Sequence, residues 1–281
     1  MSESQVSPAW ASTFVGEALW GPPQDATVRA STKVASYMSV PEAGDGPTMI
    51  ALLSEEAVRL PIGIVLATTR LPEAGSTVTI GNGSLTTDET SWRPVRWWDP
   101  RPHVCSDDLI ARSPNLLDLL ECESKAAFGL PLAEAIGVAR SLASGGDAQA
   151  LAWIGLGPGL TPSGDDVVAG ALAVLALCGR LDEKVKDSIG NCARTRTTAL
   201  SFALLAAAAK GHVIPQAAGV LSALASGGEP HRLKSAATGL FGVGATSGHD
   251  LCAGMAGALI ALVHPRNSHS SGELASIARR P

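Results

Sequence analysis

Short apolar runs with β-branched and aromatic residues fill the first part of the chain, and apolar stripes of helical period fill the rest. Residues 27–40, 48–53, 62–68, 76–80 and 92–98 are rich in Val, Ile, Thr and Trp. Turn clusters such as Gly81-Asn82-Gly83 separate them, so the pattern predicts strands. Residues 1–25 lack this periodicity and read as a loose tail or an added strand. Ser106, Asp107 and Asp108 open a helical pattern over 109–120 that Pro114 interrupts, and Pro131 opens another that stops near Gly145-Gly146. Further helices are predicted from Asn191, read as a cap, to Lys210, then over 215–225, 231–240 and 247–263, with a short one over 273–280. The expected fold is α+β, with a small β-barrel or sandwich over residues 1–105 and a mainly helical domain over 106–281. Without a long linker, the two parts are expected to pack together.

The stretch IGLGPGLTPSGDDVVAG, residues 154–170, joins a Gly- and Pro-rich loop to an apolar helix. Ser163 is predicted to be the N-cap of that helix, with Asp166 at capping-box spacing. Gly157, Gly159 and Gly164 let a ligand approach the backbone, and the N–H groups of a helix start favour an anionic or polar group. The plainer reading is capping alone, worth ~1 kcal/mol.

A second copy weighs against capping alone. In GVGATSGHDLCAG, residues 242–254, the series Gly242, Gly244, Thr246, Ser247, Gly248, His249 and Asp250 aligns with Gly157, Gly159, Thr161, Ser163, Gly164, Asp165 and Asp166 once Pro162 is removed. The match predicts a pseudo-repeat of two glycine-rich loop–helix units. Gly170 and Gly254 stand inside these helices, where each costs ~1 kcal/mol relative to Ala. Close approach of the two helices would account for them, with Thr161, Ser163 and Asp166 facing Thr246, Ser247 and Asp250 across a shared pocket. His249 reads as a surface imidazole at a helix start.

Arg194, Thr197, Thr198 and Ser201 recur at helical spacing. The strip is either a solvated face with backbone-bonded hydroxyls or a pocket wall, with Arg194 or Arg196 supplying a cation to an anionic ligand. Asp165, Asp166 and Asp250 are the candidate catalytic carboxylates. They orient amide N–H groups or, as oxygen ligands, hold Mg²⁺ through Asp166 and Asp250.

With 46% hydrophobic and 17% charged residues, the chain can build a sizeable core. A net charge of −5 with no dense basic tract gives no reason to expect nucleic acid. Five cysteines without close pairs read as reduced, mostly buried thiols, and Cys178 and Cys252 as core residues. No secretory signal or membrane-length apolar run is evident, so the expected compartment is the cytoplasm. Walker, G-x-G-x-x-G and nucleophile-elbow motifs are absent.

The loop G-L-G-P-G-L-T-P-S-G-D-D at 155–166, the hydroxyls around Thr198 and Ser201, and G-x-T-S-G-x-D at 244–250 resemble the AllH-like domain family. That family includes the AllH subunit of oxamate carbamoyltransferase. The resemblance implies a role in purine and ureide nitrogen catabolism. There the assembled enzyme, with two other kinds of subunit, converts oxalurate and phosphate to oxamate and carbamoyl phosphate. The implied partners are a small substrate and those subunits. Alternatives are a non-catalytic metabolite-binding or scaffold subunit, and a metal-dependent amidohydrolase, for which a His-rich ligand set is missing.

Overall fold

The structure is a computed structural model that describes residues 6–41, 46–68, 70–123 and 125–263. The helix expected over 273–280 lies outside these residues. Eight strands, β1 (Val6–Ser12), β2 (Gln24–Ser31), β3 (Ala35–Ser39), β4 (Met49–Leu53), β5 (Gly63–Leu66), β6 (Thr77–Gly81), β7 (Ser84–Thr86) and β8 (Ser91–Trp98), close into a barrel in the order β1-β5-β4-β3-β2-β6-β7-β8. A barrel leaves no strand edge open. Of the two shapes expected, the barrel is the one formed, and residues 6–12 are a strand essential to its closure. β1 pairs in parallel with β8 and antiparallel with β5. Its sequence, VSPAWAS, hides the strand because Ala9 and Ala11 supply only methyl groups to the interior. A short helix, α1 (Gly16–Trp20), follows.

The run MIALL of β4 is buried at every position because both of its faces are covered. Ile50 and Leu52 point into the barrel with Met38, Ile64 and Ile80, while Met49, Ala51 and Leu53 face a second cluster containing Leu200, Ala203 and Ala207. Trp92 joins the interior, and Trp97 stacks on Trp20 outside it with ring centroids 6.2 Å apart.

The helical part contains α2 (Ser106–Ala111), α3 (Ser113–Glu121), α4 (Leu132–Ala143), α5 (Ala148–Trp153), α6 (Ser163–Leu177), α7 (Glu183–Arg196), α8 (Ala199–Ala208), α9 (Pro215–Ser226), α10 (Pro230–Phe241) and α11 (Ser247–Val263). α6 and α11 are apolar on nearly all sides and form its centre, in contact with each other and with α4. α8 lies against the barrel. Across the same junction the Val213 amide donates to the Pro100 carbonyl at 2.9 Å and Arg101 to the Lys210 carbonyl at 2.5 Å.

Asn191 does not start a helix. Asp182 caps α7 by accepting from the Lys184 and Val185 amides, Asn191 lies mid-helix, and the chain turns extended at Thr197 and Thr198 before α8 begins. Thr198 is the cap of α8. The thiols are less buried than expected: Cys252 is buried, whereas Cys105 and Cys122 are exposed. Among the described residues, no helix is long and apolar enough to cross a membrane.

Candidate functional site

The two glycine-rich loops meet at one place. Thr161 and Ser247 share a hydroxyl hydrogen bond of 3.2 Å, and Ser163 and Thr246 share one of the same length. Ser163 therefore does not cap α6. It occupies the first helical position, Pro162 is the N-cap, and its hydroxyl is turned to the other loop. Gly157 and Gly159 take positive φ angles that disfavour side chains, and a Cβ on Gly157 would stand 2.9 Å from the Ser163 amide nitrogen. Gly164 is pressed on the Trp153 carbonyl and Gly248 on the Leu240 carbonyl, so each loop folds back on the helix before it.

Asp166 and Asp250 hold matching places in the first turns of α6 and α11 but have different surroundings. Asp250 is 0% exposed. The Gly129 amide donates to both of its oxygens at 3.1 and 3.3 Å, and the Leu130 amide and the Ser163 and Thr246 hydroxyls also bond to it. Burial raises its pKa and these bonds oppose the rise. Asp166 is half-buried, and its Oδ2 has no hydrogen-bond partner. Desolvation pushes its pKa up to about 8. The Ser247 and Thr161 hydroxyls oppose that rise, and the charges of Asp250 and Asp165 add to it.

Asp165 faces another set of groups. It is 1% exposed and accepts from the Gly155 amide at 2.8 Å, from the Ser201 hydroxyl at 2.7 Å and from the Thr197 hydroxyl. Thr198 donates to the Leu160 carbonyl at 2.6 Å and accepts from the Ser201 amide. The hydroxyl strip thus fastens α8 to the first loop. Arg194 lies over the Phe202 ring at 5.1 Å, and Arg196 donates to the Leu151 carbonyl at 2.8 Å. His249, expected at the surface, is 8% exposed. It stacks on Phe241 at 4.1 Å and stands edge-on to Phe128, and these two rings cover it.

A cavity of about 240 Å³ opens beside Asp166, between the helices and the barrel. Thr161, Asp166, Gly244 and Ser247 form its polar side. Tyr37 and Pro61 from the barrel, Leu200 and Leu204 from α8, and His212 complete the wall. No Lys or Arg is among these lining residues, so neither Arg194 nor Arg196 reaches the cavity. His212 went unnoticed in the sequence because it belongs to no motif, following only Lys210 and Gly211 at a helix end. Its pKa is lowered by burial and its Nδ1 has no partner. The cavity therefore borders two residues that each carry an unpartnered buried polar atom. A larger cavity of about 590 Å³, beside Gly137, Arg140 and Ala261, includes none of the expected site residues.

Asp165 and Asp250 are poor ligands for Mg²⁺. Both are surrounded by N–H and O–H donors, which compete with a cation for the same lone pairs. Among the described residues, no group of three or more His, Cys, Asp or Glu is placed to hold a metal.

Residues 153–259 match the model of a family described as oxamate carbamoyltransferase subunit AllH. That span begins at the end of α5 and includes both loops, Asp166, Asp250 and His212, while the barrel lies outside it. No solved structure matches the chain.

Proposed function

We propose, from the AllH match of residues 153–259, that this chain is a subunit of an oxamate carbamoyltransferase-like enzyme of ureide breakdown. In this reading the cavity beside Asp166 holds a small ligand by its carbamoyl or carboxyl end. One observation supports that placement most: Asp166, with a pKa pushed up to about 8 and an unpartnered Oδ2, lines a cavity inside the family-matched span. Perturbed carboxyls in clefts mark functional sites more often than chance. Thr161 and Ser247 orient Asp166, Asp250 fixes the facing helix, and Asp165 is a structural residue that ties the first loop to α8. The two loop–helix units are read as descendants of a duplication. Residues 1–105 and 106–281 are read as two domains with the cavity at their junction.

The second reading is a metabolite-holding subunit without turnover of its own. It draws on the lack of any Lys or Arg among the residues lining the cavity, since transfer to phosphate needs cationic stabilisation of the developing charge. Partner subunits would then supply that charge.

The test is carbamoyl phosphate formation from oxalurate and phosphate, by the chain alone and by the chain assembled with the subunits it co-purifies with. The assembled enzyme is expected to turn over, and Asp166→Leu to lose at least about a hundredfold of that rate. Full activity in the variant would remove the cavity from the site. Steady turnover by the pure chain would remove the second reading.

A further inference from the structure

Two arginines share one indole on the outer face of the barrel. Ala9 and Ala11 belong to the barrel interior, so Trp10 between them faces out, directly across from Arg96 in the parallel pairing of β1 with β8. The Arg96 guanidinium lies 6.0 Å from the centroid of the Trp10 ring. Arg59, from the loop between β4 and β5, lies 5.6 Å from the Trp10 ring and 5.9 Å from that of Trp98. Both arginines are exposed, and among the described residues neither has a carboxylate partner or donates a hydrogen bond to another residue. Glu55 and Glu56, exposed in the same loop as Arg59, pair with neither. A ring attracts a guanidinium by its charge and leaves its N–H donors, whose planar fork matches a carboxylate. Two like charges gathered on one ring are further stabilised when an anion joins them.

We propose that Arg59 and Arg96, with Trp10 and Trp98, form the docking surface for an acidic face of a partner subunit. The inference rests on the reading of this chain as one subunit of an assembly. The patch lies outside residues 153–259, so the family match by itself does not assign it. Trp and Arg are the side chains that most often dominate the binding energy of protein interfaces, and Val95, 62% exposed beside Arg96, adds apolar area. The four side chains stand on the outside of a closed barrel and line neither cavity described above, which suits a broad partner better than a small molecule. Nucleic acid fits poorly, because the chain carries a net charge of −5 and no dense basic tract. Trp10 and Trp98 pack in one cluster with Tyr37, Leu60 and Leu204, which line the cavity beside Asp166. A subunit seated on the two arginines therefore borders the cavity whose own lining holds no Lys or Arg.

The experiment measures the affinity of the full chain for the purified subunits with which it assembles, by interferometry at about 50 and about 500 mM salt. Arg59→Glu with Arg96→Glu is expected to weaken assembly at least about tenfold and to flatten its salt dependence. Arg180→Glu with Arg232→Glu makes the same change of charge at exposed positions of the helical part and is expected to leave assembly unchanged. An equal loss in that control overturns the proposal, since net charge alone would then explain it. Arg59→Lys with Arg96→Lys keeps the charge and gives a carbodiimide an amine to couple, so the test stands even if the glutamate pair fails to fold. Cross-links from positions 59 or 96 to Asp or Glu of a partner subunit are the expected result, and cross-links confined to other positions overturn the proposal. Binding of a single-stranded oligonucleotide that depends on the two arginines would assign the surface to nucleic acid instead. Undiminished assembly of the glutamate variant sinks this inference and leaves the proposed function standing. Assembly that depends on the two arginines, in a complex without carbamoyl transfer, does the reverse.

Discussion

Gly170 and Gly254 lie against each other's helices. A Cβ on Gly170 would collide with the Leu251 carbonyl oxygen of α11, and one on Gly254 with the Val167 carbonyl oxygen of α6. The obstacles are backbone atoms that cannot swing aside, so the spacing that brings the two loops together depends on both glycines. Gly170→Ala or Gly254→Ala is expected to cost about 1–3 kcal/mol or more through overpacking. Gly219→Ala in α9, where a Cβ meets nothing within 4 Å, is expected to gain about 0.5–1 kcal/mol. Urea-unfolding midpoints of the three variants check the contrast. Equal effects at Gly170 and Gly219 would mean that helix propensity, and not close approach, governs these positions.

These glycines were readable in the sequence because an in-helix Gly has few explanations, and two at matching places have fewer. Strands with β-branched residues were readable for a similar reason, whereas β1 was legible only as an added strand set beside a loose tail, since its inward positions are Ala9 and Ala11. Ser163 misled because a hydroxyl at a helix start suits capping and a cross-loop bond equally, and only the second loop decides between them. Asn191 misled because a cap residue inside a polar helix resembles a start, whereas Asp182 has the bonds. The cavity was only half legible: Thr161, Asp166 and Ser247 carry a motif, while Tyr37 and His212 arrive from distant segments that nothing in the local pattern connects.

Asp165 is expected to behave as a stability residue. Asp165→Ala leaves the Gly155 amide and the Thr197 and Ser201 hydroxyls without their acceptor, and buried donors so stranded cost about 1–3 kcal/mol each at the upper end. A fall in melting temperature with ligand affinity per folded molecule unchanged is the expected result. An unchanged melting temperature with lost affinity would place Asp165 on the ligand.

Asp166 makes stability depend on pH in a direction opposite to most carboxylates. Its folded pKa of about 8 exceeds the ordinary 3.8, so the folded state binds the extra proton between those values and loses stability as pH rises through them. Asp166→Asn removes the ionisable group. The stability of Asp166→Asn relative to wild type should therefore climb from about pH 4 to about pH 8, with a slope of at most about 1.4 kcal/mol per pH unit. Denaturation curves of both proteins across that range give the slope. A difference independent of pH would show that Asp166 ionises in the folded state as it does in water.

The same proton should govern the ligand. If the ligand's carbamoyl N–H groups meet Asp166, they favour its ionised form, so binding lowers its pKa and expels the proton that the free protein holds below about pH 8. The other titratable groups around this carboxyl are Asp250 and Asp165 near it and His212 and Tyr37 on the cavity wall. Burial lowers the His212 pKa and raises that of Tyr37, which keeps both uncharged near neutrality. Uncharged N-methylurea isolates the effect, because its own charge does not change. Its affinity should rise with pH toward about 8, by at most about tenfold per unit, and level off above that value. Calorimetry in buffers of different ionisation heat should record proton release below the plateau. Affinity that falls over the same range would show that the protonated carboxyl is the binding form, donating its own proton to the ligand carbonyl.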